Sequence, residues 1–398
     1  MQINIPILFV EINELNYIFV SGIYDENQNF KIVEKIISPN NGINKNKFSS
    51  IDDANKTIKK NIELIENKLN YIFKNVILIL DNFDCTCINI SGYKKLNGSQ
   101  VVKENIFYIL NSLKTAISEN EKKKNILHIF NSKSFLDGNS VKNLPIGLFG
   151  DFYNHELTFF LIQNNDLKNI KQVFNKSNLE VKKIFLKNFS EGTQLINQNK
   201  TETFFKIKIS KYRSSIIFFD HASFKYSEDF SFGYNIILKD VSKICSLEEK
   251  IIEKIMSDNF LIDTKFNENP NIDEKFFKGS NYRKIKKKLI LDIANSRIEE
   301  IADIIFCKNI NIKYFKNSNF KIYLTIQDNH IFKNFNENFI NYFAKKIDNS
   351  VELIDAFNVE DLIMNTSKLS TFGWKNEAVP IIQTKNSLIT KIFKSIFG

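Results

Sequence analysis

The sequence predicts an α/β fold made of two similar halves. Two observations carry that prediction. Three strands, a helix and a short apolar strand open the chain, and a strand–strand–strand–helix run returns at residues 201–245. Elsewhere, short apolar runs alternate with stretches of helical periodicity, as expected for sheets covered by helices.

The elements follow in order. INIPILFVEI, LNYIFVSGIYD and FKIVEKIIS read as three successive strands. Residues 51–72 have helical apolar spacing and an acidic first turn. NVILIL (75–80) is the kind of apolar run that a buried parallel strand needs. Three antiparallel strands, a helix and a further strand begin an actin-like or ribonuclease-H-like half. Residues 88–164 have their own plan: the strand INISGY, the helix VVKENIFYILNSLKTAISE, then the strands NILHIF and ELTFFLI around a turn-rich middle. The amphipathic helix DLKNIKQVFNKSN and the strand KKIFLKN come next. The second run is ETFFKIKIS, SSIIFFD, HASFKYS and the helix YNIILKDVSKIC. Residues 246–311 read as mostly helical, KIYLTI as a strand, INYFAKKI as a helix, 376–386 as a linker, and a short helix ends the chain.

Composition narrows the function classes. A length of 398 residues suggests two or three domains, and 43% hydrophobic with 25% charged residues is ordinary for a soluble protein. The net charge of +10 is nearly all lysine, with Arg only at 213, 283 and 297. No polybasic block is interleaved with aromatics, so no nucleic-acid partner is expected. Cys85, Cys87, Cys245 and Cys307 lack paired zinc-ligand spacing, and the four histidines are scattered, so neither a metal site nor a catalytic residue is expected. The N-terminal MQINIPILFVEINELNY reads as a strand rather than a signal peptide, and no run approaches the ~18 apolar residues of a spanning helix.

Four stretches, in this order and spacing, resemble FtsA, the actin-like bacterial cell-division family. They are ILHIFNSKSFLDGNSVKNLPIGLFGD (126–151), NIKQVFNKSNLEVKKIFLKNFSEG (169–192), YRKIKKKLILDIANSRIEEIADII (282–305) and LSTFGW (369–374) followed by a tail helix. The resemblance implies an actin-like first half at 1–87 and 165–200, with an FtsA-type inserted subdomain at 88–164. A second half would take 201–245 and 306–375, a helical subdomain 246–305, and a linker with a membrane-targeting amphipathic helix 376–398.

Family members bind ATP and Mg²⁺ through glycine-rich turns, where backbone amides approach phosphates closely and carboxylates organise the metal. Those turns are degenerate here. Val10-Glu11-Ile12-Asn13-Glu14 stands where the family has Leu-Asp-Ile-Gly-Thr. Lys208-Ile209-Ser210-Lys211-Tyr212-Arg213-Ser214-Ser215 stands for Asp-Ile-Gly-Gly-Gly-Thr-Thr-Asp, and Thr325-Ile326-Gln327-Asp328-Asn329 for Thr-Gly-Gly-Gly-Ala. The expectation is a vacated nucleotide site with no cofactor and no enzymatic turnover. The degenerate positions are Glu11, Asn13, Lys208, Ser210, Ser214, Ser215, Gln327 and Asn329. A rival reading lets Lys208, Lys211 and Arg213 bind phosphate by charge, which would make the chain an ATPase with a rewritten site.

On a helix, Leu388, Ile389, Ile392, Phe393, Ile396 and Phe397 share one face, while Lys391 and Lys394 lie on the other. Large apolar residues opposite lysines suit a bilayer interface. The resemblance adds that this helix binds the anionic membrane and that the third stretch holds the carboxylate-bearing C-terminal tail of FtsZ, through Arg283, Arg297 and Glu300. It implies a peripheral protein on the cytoplasmic side of the bacterial inner membrane at the division site, with later division proteins as further partners. Self-association into actin-like filaments is left open. A pilus-assembly-type scaffold shares the fold and is the other alternative.

Overall fold

The computed structural model describes residues 4–44, 47–81, 83–141, 143–258, 270–277, 282–317, 319–327, 329–345 and 350–378. The chain forms two units. The first takes Met1–Glu202, Phe219–Lys225 and the chain from Phe357, and the second Thr203–Phe218 and Tyr226–Ala356.

The first unit opens with β1 (Ile7–Ile12), β2 (Asn16–Tyr24) and β3 (Phe30–Pro39), paired antiparallel in sequence order. A two-residue ladder of β4 (Ile43–Asn44) and β5 (Lys47–Phe48) leads into α1 (Ile51–Leu69). Ser50 Oγ accepts the Asp53 amide at the helix start, Asp52 and Asp53 face the positive end of its dipole, and Asn70 at φ 50° ends it. The chain returns through β6 (Asn75–Leu80), parallel to β1. A separate sheet then forms from β7 (Cys85–Lys95), β8 (Lys124–Leu136), β9 (Asn139–Val141) and β10 (Phe152–Gln163), in the order β7-β10-β8-β9, with α2 (Lys103–Asn120) packed on it. Leu110, Leu113 and Ile117 of α2 meet Ile129, Tyr153 and Leu157 in its apolar core. After α3 (Asn164–Asn175), β11 (Glu180–Leu186) completes the first sheet and α4 (Lys187–Asn199) follows. The first sheet runs β11-β6-β1-β2-β3.

The second unit repeats this order. Its strands are β12 (Phe204–Ile209), β13 (Ser214–Asp220), β14 (Ser223–Phe230), β15 (Lys321–Ile326) and β16 (Val351–Leu353), arranged β14-β13-β12-β15-β16. In each sheet a meander of three strands supplies one side, and two crossovers add parallel strands beside its first member. Helices α5 (Asn235–Cys245), α6 (Glu249–Ser257), α7 (Lys287–Ala302), α8 (Asn329–Phe332) and α9 (Asn336–Ala344) complete the unit. Its core is aromatic: Phe205 stacks on Phe218 at 4.4 Å, edge-on to Phe306 and Phe320. Among the described residues no helix is long and apolar enough to cross a membrane.

Two expected boundaries differ. The second half was expected to run to residue 375, but α10 (Val359–Phe372) belongs to the first unit. It packs on α4 and β3, and Asn365 Nδ2 donates to Ser190 O and Thr193 Oγ1, both at 2.8 Å. A polar side chain satisfied inside the core fixes that docking where hydropathy alone gives no hint. The expected linker from 376 also begins as ordered structure. The Asn131 amide donates to Asn376 O and the Ala378 amide to Ile129 O, each at 2.8 Å, so the segment adds a short antiparallel rung beside β8. Glu377 is buried there, 2.8 Å from His128 Nδ1.

Candidate functional site

Open α/β sheets bind ligands beyond the carboxyl ends of their parallel strands. In the first unit those ends belong to β1, β6 and β11. Ile12 pairs with Leu80, and Leu80 pairs with Leu186, which puts the next residues, Asp81 and Lys187, at neighbouring strand ends. The Asp81 amide donates to Ile12 O at 3.0 Å, extending the ladder by one rung. Glu11, one residue before the end of β1, is completely buried.

Lys187 gathers these groups. Its Nζ lies 2.7 Å from Glu11 Oε1 and 3.2 Å from Asp81 Oδ2. Burial pulls its ammonium toward deprotonation, but Asp81, Glu11 and Glu191 more than offset that and hold its pKa above the ordinary lysine value. Asn13 Nδ2 also donates to Glu11 Oε1, at 3.1 Å. Glu11 Oε2 is buried and has no hydrogen-bond partner among the described residues.

The turn after β1 is closed from within. Asn13 Oδ1 accepts the amides of Leu15 and Asn16 at 3.1 and 2.8 Å, and Asn40 Nδ2 donates to Asn13 O at 2.8 Å. Turn amides of this kind are what a phosphate cradle presents to its ligand. Here the Asn13 carboxamide takes two of them, and the Lys187 ammonium already pairs with Glu11 and Asp81. These residues therefore do not fit a magnesium–nucleotide in the family's manner.

The turn between β12 and β13 is closed differently. The Ser210 amide donates to Arg213 O at 2.8 Å. Ser210 O and Lys211 O accept the Tyr234 and Asn235 amides at the start of α5, at 3.0 and 2.9 Å. Lys211 Nζ is 3.3 Å from Glu253, and Ser214 Oγ donates to Phe232 O at 2.9 Å. Ser215 is buried, Lys208 and Arg213 are half-buried, and Tyr212 is exposed. Gly233 permits this closure, because a Cβ there would lie 1.9 Å from Ser210 O. At the third turn the exposed Gln327 donates its amide to Ile209 O at 2.9 Å. Asn329 starts α8, and Asp328 lies outside the described residues.

Of the proposed partner residues, Arg283 is exposed. Arg297 on α7 is engaged within the unit, with Nη2 2.5 Å from Asp240 and Nη1 2.6 Å from Glu300. Leu388, Ile389, Lys391, Ile392, Phe393, Lys394, Ile396 and Phe397 lie outside the described residues. Among the described residues no group of three or more His, Cys, Asp or Glu is placed to hold a metal ion. Sequence reasoning found Glu11 and Asn13 but missed Lys187, Asp81 and Glu191. The one available signal was a polar residue directly after each of two apolar strands, NVILIL-Asp81 and KKIFL-Lys187.

No family model matches the chain. The cell division protein FtsA of Buchnera aphidicola subsp. Schizaphis graminum is 23% identical over 298 residues, which cover 74% of this chain and 71% of that protein. Among solved structures, a chain of the PilM–PilN type IV pilus biogenesis complex superposes with a TM-score of 0.50 at 9% identity, covering 89% of this chain and 93% of that one. The chain is thus similar in sequence to FtsA and has the actin-like fold. MreB5 of Spiroplasma citri bound to ADP also aligns, with a TM-score of 0.46 and 10% identity over 92% of this chain and 96% of that one. Glu11, one residue before the end of β1, is joined to Lys187 of the same unit.

Proposed function

We propose that this chain is a cell-division adaptor that tethers the FtsZ ring to the cytoplasmic face of the membrane at the division site and recruits later division proteins, without ATP turnover. The alignment with FtsA over 298 residues is the observation that carries the division role. The internally closed turns and the Lys187 pairing support the absence of turnover. Residues 386–398 supply the membrane contact through their large apolar side chains. The helix around Arg283 and Arg297 receives the acidic FtsZ tail, and that tail competes with Asp240 and Glu300 for the Arg297 guanidinium.

The test is co-sedimentation of FtsZ with anionic liposomes. FtsZ is expected in the pellet only when the chain is present, and to be lost with Phe393→Glu but largely kept with Thr390→Glu. A pellet without FtsZ in the presence of the wild-type chain overturns the tether. Tight Mg-ATP binding by calorimetry, with Kd below about 100 µM, overturns the vacated site and favours an ATPase. The PilM likeness favours a pilus-type scaffold as the second reading, which gains if the liposome-bound chain ignores FtsZ.

A further inference from the structure

Beside the rung at 376–378, the first unit keeps an apolar cleft between α2 and its four-stranded sheet. The cleft holds about 370 Å³ of empty space, and apart from Lys103 its wall includes Ile106, Phe107, Leu110, Leu144, Leu157 and Ala378. Ile106 and Phe107 pack on the core around Leu110 and Leu157 and are themselves only partly covered. His155 and Asn131 also line the cleft, but His155 Nε2 already meets Asn131 Oδ1 at 3.1 Å, and its Nδ1 meets Tyr153 OH at 2.7 Å. Such a wall rewards aliphatic side chains rather than a polar ligand. The chain reaches this wall at Ala378, the last described residue. Val379, Pro380, Ile381 and Ile382 come next, followed by the polar Gln383, Thr384 and Lys385. Proline has no amide to donate, so Pro380 cannot carry the antiparallel ladder further along β8.

We propose that Val379, Ile381 and Ile382 seat in this cleft, so that the chain covers it with its own next segment. The rung delivers the backbone to the wall at Ala378, Pro380 releases it from β8, and large apolar side chains follow at once. The seat prolongs the anchorage that the rung begins. It also shortens the tether: with residue 382 fastened, only residues 383–385 join the folded unit to the stretch at 386–398. Three extended residues span at most about 11 Å. The short tether rests on the membrane reading of 386–398, whereas the seat itself is independent of it.

The experiment uses the full chain without lipid or FtsZ. Ile381→Cys and Thr384→Cys are alkylated with iodoacetamide, and the adduct is read on the tryptic peptide 376–385, which has no cysteine of its own. Ile381→Cys is expected to react at least about tenfold more slowly than Thr384→Cys at every protein concentration, as a mostly closed segment does. Adding Ile106→Glu puts a charge in the wall and should bring the two rates together. Equal rates without that change, or rates that stay apart in a folded Ile106→Glu chain, overturn the proposal. So does protection that grows with concentration, which would mean that a second copy fills the cleft. If Ile106→Glu does not fold, photo-crosslinking decides, with p-benzoylphenylalanine in place of Phe107. A crosslink to 379–382 of the same chain is expected; a crosslink to another segment or another chain, or none, overturns the seat. Because no vesicle is present, a failure here is separate from a failure in the liposome test.

Discussion

The two units share one strand order but bury different chemistry. The first encloses Glu11, Asp81, His128, His155, Lys183, Glu191, Asp220, Lys225 and Glu377, while Lys206 is the buried charged residue of the second among the described residues. The second unit is filled instead with phenylalanine and isoleucine. Their hairpin turns differ in the same way. The turn after β1 keeps a carboxylate and answers it with Lys187, whereas the turn after β12 keeps no carboxylate and ties its carbonyls to the start of α5. A fold can thus retain its strands and close a ligand turn by two routes, one through charge pairing and one through backbone bonding. The first unit should accordingly respond to charge and pH, and the second to shape.

The largest effect should come from Lys187→Met. It leaves Glu11 and Asp81 buried without their ammonium, and breaking a buried pair from one side costs about 3–5 kcal/mol. Urea unfolding should show that loss in the first unit and leave the second unchanged. A uniform loss across both would break the comparison.

Acid comes next. His155 accepts or donates at Nδ1 to Tyr153 OH at 2.7 Å and at Nε2 to Asn131 at 3.1 Å, and burial lowers its pKa to about 4. Its folded form stays neutral while the unfolded chain binds a proton below about pH 6.5. Stability from this group is therefore complete above pH 6.5 and is lost as pH falls toward 4, by an amount on the order of 3 kcal/mol. Thermal melts of wild type and His155→Gln should converge at low pH and separate at neutral pH. Parallel curves would remove His155 as the sensor.

Gly233→Ala tests the second unit by shape. The added methyl would meet Ser210 O at 1.9 Å and the Arg213 amide nitrogen at 2.8 Å, and backbone cannot yield as a side-chain tip can. A loss of about 2–3 kcal/mol is expected, with no change in its pH dependence. The smallest effect belongs to Asn13→Ala. It frees the Leu15 and Asn16 amides of a half-exposed turn and should cost about 1 kcal/mol by urea titration.

The strand meanders and crossover helices were legible because period-two and helical patterns survive in each segment, from NVILIL to KIYLTI. The site was only half legible. Glu11 and Asn13 sit in a recognisable turn, but Asp81 and Lys187 look like ordinary strand-end residues until the register of β1, β6 and β11 sets them side by side. The placement of α10 was hidden because its docking face includes Asn365, Thr366 and Ser367, which a hydropathy pattern assigns to solvent. Arg297 was visible as a rare residue, but its partner Asp240 is 57 positions away and leaves no local trace.

The rung at residues 376–378 also sets how the chain would bear load. Tension applied beyond Ala378 first meets the two backbone bonds to β8 and the buried His128–Glu377 contact. Those bonds brace the chain before strain can pass along the backbone to α10. A tug on the tail is therefore taken up by the small β7-β10-β8-β9 sheet, and the shear strength of one rung sets the force at which the grip gives way.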